Sequence, residues 1–346
     1  MKTKKHFGSI KGLFLAVALA GLFAPGTSRG QLIWVTNHGA ITITGYTGSG
    51  GLVTIPPTIN GWSVVNIGTN AFQASDITGV TIPNTVTNID PFAFAYNFFS
   101  LTSVTIPASV IRIGTNAFRS CESLQTTIPN GVVTIEDEAF DDTALTSVVI
   151  PGSVTHLGAG PFRACYHLTN ITVDPLNPCY TSDASGAVFD KAMATLIQYP
   201  AGRYGNYVMP RSVTGLASEA FADCAAFGIY FQGNAPNTGD SLLTFSYDLG
   251  TNYYLPGTLG WSNTLAGRPT APWFLPQPVI LGVQQNPYGF TISWATNASV
   301  MVECTTDLTQ NVWQPVQTNA MVNGTNGFSN PNWLSSPVGF YRVVPW

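Results

Sequence analysis

Between residues 52 and 226 the apolar residues recur as short alternations at a nearly constant spacing. Val80-Thr81-Ile82, Val104-Thr105-Ile106 and Val148-Val149-Ile150 each set two apolar residues on either side of a middle position. That period of two predicts a short strand with one buried face. Each run stops at a proline (Pro83, Pro107, Pro151), which has no N–H to give to a ladder. A sparser apolar pair follows, Val110 and Ile113 in one unit, and predicts a second short extended piece. Thr115 and Asn116 then stand where they would cap a short helical turn carrying Ala117, Phe118 and Cys121, and Leu124 opens the next unit.

The pattern is a repeat. Segments 80–94, 104–121 and 148–165 superpose without gaps through the phenylalanine, and Phe72, Phe94, Phe118, Phe140 and Phe162 follow one another at steps of 22, 24, 22 and 22 residues. A unit of about 22 residues cannot bury its own apolar face. Stacking on the units before and after it can, and stability must then be cooperative along the array. The predicted class is mostly β with short helical turns: a solenoid, followed by a small β-sandwich-like domain.

Departures from the period mark the boundaries. Leu124-Gln125-Thr126-Thr127-Ile128 puts Thr126 where Val is expected, and Pro161 replaces the alanine before Phe162. The step from Phe162 to Phe221 is 59 residues, so an irregular unit is expected near 175–206, with a hairpin around Lys191 to Ala194. The repeats are placed at 52–226, between an N-terminal β cap at 31–51 and a C-terminal cap at 227–268, where Trp261 would cover the last unit. Pro269, Pro272, Pro276 and Pro278 suggest an extended linker at 269–278, and at least four short strands fill a β domain at 279–346.

The motif Leu-x-x-Val-x-Ile-Pro-x-x-Val-x-x-Ile-Gly-x-x-Ala-Phe-x-x-Cys, as it stands at 101–121, resembles the BspA-like leucine-rich repeats of bacterial surface proteins. The resemblance covers roughly residues 40–270. It implies a curved solenoid with a parallel sheet on one face, and a role in adhesion or protein interaction. It supplies no ligand. The closing β domain is similar to small modules that end secreted bacterial proteins, which serve as sorting signals or as spacers.

Composition narrows the setting. Lys2, Lys4, Lys5 and Lys11 precede an apolar run from Leu13 to Phe23, and Ser28 and Gly30 are small residues before a plausible cleavage point, so residues 1–30 read as a signal peptide. The expected location is therefore secreted, extracellular or at the outer cell surface, with no transmembrane segment, since that run is shorter than the 20 or so residues of a spanning helix. Five of the 13 basic residues lie in that leader, which leaves eight against 17 acidic ones, a balance that disfavours nucleic acid. Five cysteines, with no Cys-x-x-Cys and no Cys/His cluster, point to neither a metal nor a cofactor. Cys121, Cys165 and Cys224 recur at one register as small buried residues, and a Cys165–Cys179 bridge is the alternative left open.

No catalytic constellation is visible. His156 falls at a variable outward register shared with Asn66, Asn88, Arg112 and Thr134, and neither His38 nor His167 matches a nucleophile motif. The acidic group Glu136, Asp137, Glu138, Asp141 and Asp142 lacks the spacing of a calcium loop and reads as the start of a helical turn. Gly68, Gly114 and Gly158 read as turn residues. The chain is expected not to be an enzyme. What remains is the middle position of the strands, Thr54, Thr81, Thr105, Thr127, Val149 and Thr172, which would form an uncharged ladder across the sheet. Such a ladder is structural through cross-strand pairing, and it is also the candidate face for an extracellular protein or polysaccharide ligand. Two functions follow: interaction or adhesion through the solenoid sheet, or polysaccharide binding or an envelope scaffold. A row of exposed aromatic rings would favour the latter.

Overall fold

The computed structural model describes residues 31–238, 250–285, 288–331 and 339–346, so the leader expected at 1–30 lies outside it. The described residues contain no helix, and the repeats wind as a β-solenoid of about nine turns. The described residues divide into two compact units, one running up to Leu145 and taking in Pro151–Pro161, the other made of Thr146–Ile150 and the residues from Phe162 onward.

In the first unit the coils feed three ladders. The strands Gly51–Thr54, Ile77–Thr81 and Ser103–Thr105 form one parallel sheet. The second extended pieces form a longer sheet that runs through Trp62–Ile67, Asn88–Ile89, Arg112–Ile113, Thr134–Ile135 and His156–Leu157. This sheet begins with the antiparallel pair Leu32–Asn37 and Ala40–Tyr46, which covers the first coil.

The third ladder replaces the expected short helical turn. Residues 115–120 do turn, and Ala117, Arg119 and Cys121 donate to carbonyls three residues back (Gly114, Asn116, Phe118). The intervening N–H groups go elsewhere: Asn116, Phe118 and Ser120 donate to Asp137, Ala139 and Asp141 of the next coil. Phe72 and Phe94 likewise donate to Ala93 and Ala117 at 2.7 and 2.8 Å. Diverting alternate N–H groups needs left-handed residues, and Asn116, Ser120, Glu138 and Asp142 all have φ between 51° and 57°. A helix would satisfy its N–H groups within the turn and leave the neighbouring coil's carbonyls without partners.

The side chains follow from these ladders. Phe72, Phe94, Phe118 and Phe140 are fully buried, and each successive pair has ring centroids 5.2 Å apart with planes within 8°. Gly114 is required by the neighbouring coil rather than by the turn itself. Its φ is ordinary, but a Cβ there would lie 2.8 Å from the Asp90 carbonyl carbon and the Pro91 nitrogen.

In the second unit Ser147–Ile150 pairs in parallel with Asn170–Val173. The irregular unit follows as the antiparallel strands Tyr180–Ser182, Val188–Asp190 and Thr195–Gln198, with the hairpin at Lys191–Ala194 where the sequence placed it. Here the Gln198 side chain, buried, accepts the Phe162 N–H at 3.1 Å, a bond that a neighbouring backbone carbonyl makes in the regular coils. Asp183 caps the Ser185 and Ala187 N–H groups and accepts the Tyr207 hydroxyl at 2.8 Å. Burial and this carboxylate together push the Tyr207 phenol far above its ordinary range, so it is a neutral donor.

A further sheet runs through Gly205–Met209, Ala226–Phe231, Thr251–Tyr254 and Arg268–Pro272. Arg268 is buried and donates to the Gly250 and Ala226 carbonyls, and Trp261 lies against Tyr254 and Phe231 at 4.9 and 5.0 Å. Pro269 and Pro272, expected in the linker, therefore belong to a strand. They are tolerated because only the two-residue strand Thr264–Leu265 lies beyond them. The remaining chain forms two three-stranded antiparallel sheets. Phe290, Ile292 and Phe328 of one and Val300 and Val302 of the other share a core, giving a small β module.

Candidate functional site

The middle residue of each first strand points outward. Thr54 pairs with Thr81 and Thr81 with Thr105 in one sheet, and Val149 pairs with Thr172 in another. All five are exposed, as is Thr127. The structure pairs five of the six in these two groups rather than in one unbroken ladder, and Thr127, which is not in a strand, belongs to neither. Its coil keeps only an isolated bridge between Ser103 and Gln125. Thr126, where a valine is expected, turns its hydroxyl to the Val104 carbonyl at 2.7 Å. This stretch is also one residue shorter from its leucine to its proline than Leu101 to Pro107, and it forms no strand.

The same outward register continues past Thr172. Tyr207 and Met209 are buried with Val208 exposed between them, and Val208 pairs with Tyr230, which pairs with Tyr253. The signal was present in Tyr207-Val208-Met209-Pro210, which has the apolar–outward–apolar–Pro order of Val104-Thr105-Ile106-Pro107 with larger residues. Two residues earlier along the strands, a second outward row holds Leu52, Gly79 and Ser103 in the first sheet and Ser147 and Asn170 in the next. Neither row carries a charge. Both expose aliphatic surface, with Leu52 at 75%, Val149 at 60% and Val208 at 46% of full exposure.

Charge is placed on the other ladders. In the long sheet Arg112 lies between Asp90, at 3.2 Å, and Glu136, which it grips with two nitrogens at 2.6 and 2.9 Å. The expected acidic turn is thus a set of bonds between coils. Asp137 accepts the Ala159 N–H, and Glu138 and Asp141 face Arg119 at 2.8 and 3.4 Å. The carboxylates are divided between Arg112, Arg119 and the Ala159 N–H rather than gathered about one centre. His38, His156 and His167 are exposed. The five cysteines form no disulfide, which leaves the Cys165–Cys179 bridge unmade. Burial pushes the Cys121 thiol up to about 12 and the Cys224 thiol up to about 11, so both are neutral packing groups.

Partial burial by itself raises the Glu136 pKa. The Arg112 fork and the Thr115 N–H and hydroxyl outweigh it and hold the carboxyl below its ordinary range. A depressed carboxyl stabilises the fold above its unfolded pKa, and that contribution disappears as pH falls through the folded value. Both side chains are partly exposed, so about 1 kcal/mol is the expected size. Glu136→Gln should lower the melting temperature at pH 7 and flatten its decline below about pH 4. Parallel pH curves for the two proteins would contradict this assignment.

The geometry is that of a repeat array, and a family model of repeats matches part of it. Residues 95–180 match the family model described as the BspA type Leucine rich repeat region, in six copies. No curated protein matches the chain. Similar solved structures include the pneumococcal vaccine antigen PcpA, at 21% identity and TM-score 0.46 over 60% of this chain and 64% of that one. A leucine-rich repeat protein from Bacteroides ovatus ATCC 8483 aligns at 24% identity and TM-score 0.42, over 67% of this chain and 71% of its own. The T. pallidum Leucine Rich Repeat protein aligns at 25% and 0.39, over 58% and 82%. The alignment thus spans just under two thirds of the pneumococcal antigen's length. Within the solenoid, residues 95–180 are thus similar to BspA-type leucine-rich repeats.

Proposed function

We propose that this is a secreted or surface-attached protein, without catalytic activity of its own, that binds an extracellular protein partner through the outward rows of its first-strand sheets. The observation that carries this reading is the division of labour among the ladders. The long sheet and the turns hold the ion pairs between coils, whereas the outward rows at Thr54, Thr81, Thr105, Val149 and Thr172 are uncharged and exposed. A charge-free centre with exposed aliphatic anchors is how the middle of a protein interface is built. The leader at 1–30 provides export in this reading, and the closing β module provides attachment or a spacer.

The test is binding of the full chain to an array of extracellular matrix proteins, beside Thr81→Lys and Thr105→Lys. A buried lysine without a partner should weaken binding at least about tenfold, while an exposed strand position leaves the melting temperature nearly unchanged. Saturable binding that both lysines leave intact would rule out this face.

A further inference from the structure

At the C-terminal end of the solenoid the outward register changes from threonine to aromatic residues. Tyr230 and Tyr253 sit on paired strands with ring centroids 4.7 Å apart and planes within 14°. Trp273 follows the closing strand, donates its N–H to the Tyr254 carbonyl at 2.7 Å, and sets its ring edge-on to Tyr230 at 4.9 Å. Two positions before Tyr230 on the same face is Gly228. A Cβ there would lie 2.9 Å from Tyr230 Cε2, 3.3 Å from Tyr253 Cε2 and 3.1 Å from Asn206 Oδ1. The rings therefore lean back over bare backbone, with the Asn206 carboxamide beside them.

These rings are not needed for the core. The cluster beneath is filled by Tyr207, Ile229 and Phe231, and the three outward rings are half-buried on the opposite face. Threonine and valine satisfy the same register elsewhere, so strand formation does not explain the change to tyrosine. The surrounding outward residues, Asn206, Val208, Gly228, Thr251 and Ala271, carry no charge. Among the described residues of this patch, an anionic or cationic ligand would find no counter-ion. A neutral polysaccharide offers what it can bind: C–H faces for the rings, and hydroxyls for the phenols, the carboxamide and Thr251.

We propose that Tyr230, Tyr253 and Trp273 form a binding platform for neutral polysaccharide, separate from the threonine rows. The inference goes beyond the proposed protein-binding function and does not depend on it.

The test is native affinity electrophoresis of the full chain in gels containing mixed-linkage β-glucan, xyloglucan, galactomannan or glycogen. Retardation is expected in at least one gel. Tyr253→Ala and Trp273→Ala should weaken it about tenfold, as loss of an aromatic anchor does. Tyr253→Phe should keep most of it, and Thr81→Lys should leave it unchanged. Gly228→Ala, which displaces the rings without removing them, should also reduce it. Two results would overturn the proposal: no retardation by any of the four polymers, or retardation that Tyr253→Ala and Trp273→Ala leave unaltered with their thermal melts intact. Loss caused equally by Thr81→Lys would place the site on the threonine rows and overturn it as well.

Discussion

Phe118→Ala is expected to destabilise the array by about 3–5 kcal/mol. The ring is fully buried and stacked on both faces, 5.2 Å from Phe94 and 5.2 Å from Phe140. Its removal deletes two aromatic contacts and leaves a void that the turn cannot close, because Asn116, Phe118 and Ser120 are bonded through their N–H groups to the next coil. The effect should extend beyond one coil, since each unit depends on its neighbours for burial. Chemical denaturation followed by circular dichroism measures it. Phe99→Ala is the control, because that ring is 74% exposed and should shift the midpoint by less than about 0.5 kcal/mol. A Phe118→Ala protein that unfolds with the control would show that the phenylalanine column does not hold the array.

The second large effect is expected at Asn97. The 24-residue step between Phe94 and Phe118 inserts a loop that this side chain ties down. Its Nδ2 donates at 2.7 Å to both the Phe72 and Phe94 carbonyls, and its Oδ1 accepts the Ser75 N–H at 2.9 Å. Asn97→Leu removes all three bonds; the Phe94 carbonyl keeps the Cys121 thiol as a donor, but the Phe72 carbonyl and the Ser75 N–H lose theirs, at about 1–3 kcal/mol for each unsatisfied group, or roughly 3 kcal/mol in all. Asn97→Asp keeps the shape but sets a carboxylate against two carbonyl oxygens, so it should be at least as damaging at pH 7. Protonation restores one donor, so its deficit should shrink between about pH 7 and pH 4. Thermal melts across that range decide the matter: a deficit for Asn97→Asp that does not change with pH would mean the side chain acts through shape alone.

Much of this fold was legible because the repeat supplies the same information several times. Val80, Val104 and Val148 are buried with exposed residues after them, as a period of two requires. The hairpin of the irregular unit was also readable, since its two strands and polar tip are local in sequence. Other features were hidden for physical reasons. Thr115-Asn116-Ala117-Phe118 reads as a capped helical turn by local propensity, but the donors of alternate residues are claimed by a coil about 22 residues away. Gly114 looks like a turn residue, although the close backbone of Asp90 and Pro91 is what requires it. The carboxylates at 136–142 look like one cluster in one dimension and are drawn apart by Arg112 and Arg119 in three.

The candidate surface divides in the same way. Which residues face outward followed from alternation, so Thr54, Thr81, Thr105, Val149 and Thr172 could be named from the chain alone. Which of them stand side by side did not, because the short stretch at Leu124–Pro129 forms no strand and breaks the ladder at Thr127. By itself the sequence determined the repeat, its inward and outward positions and its family likeness, since burial periodicity is written residue by residue. Only the tertiary structure decided which coil receives each N–H, which arginine holds each acid, and that Tyr230 and Tyr253 meet over Gly228 with Trp273 edge-on to Tyr230. Those partners are brought together by stacking, and stacking distance is not recorded in the spacing along one strand.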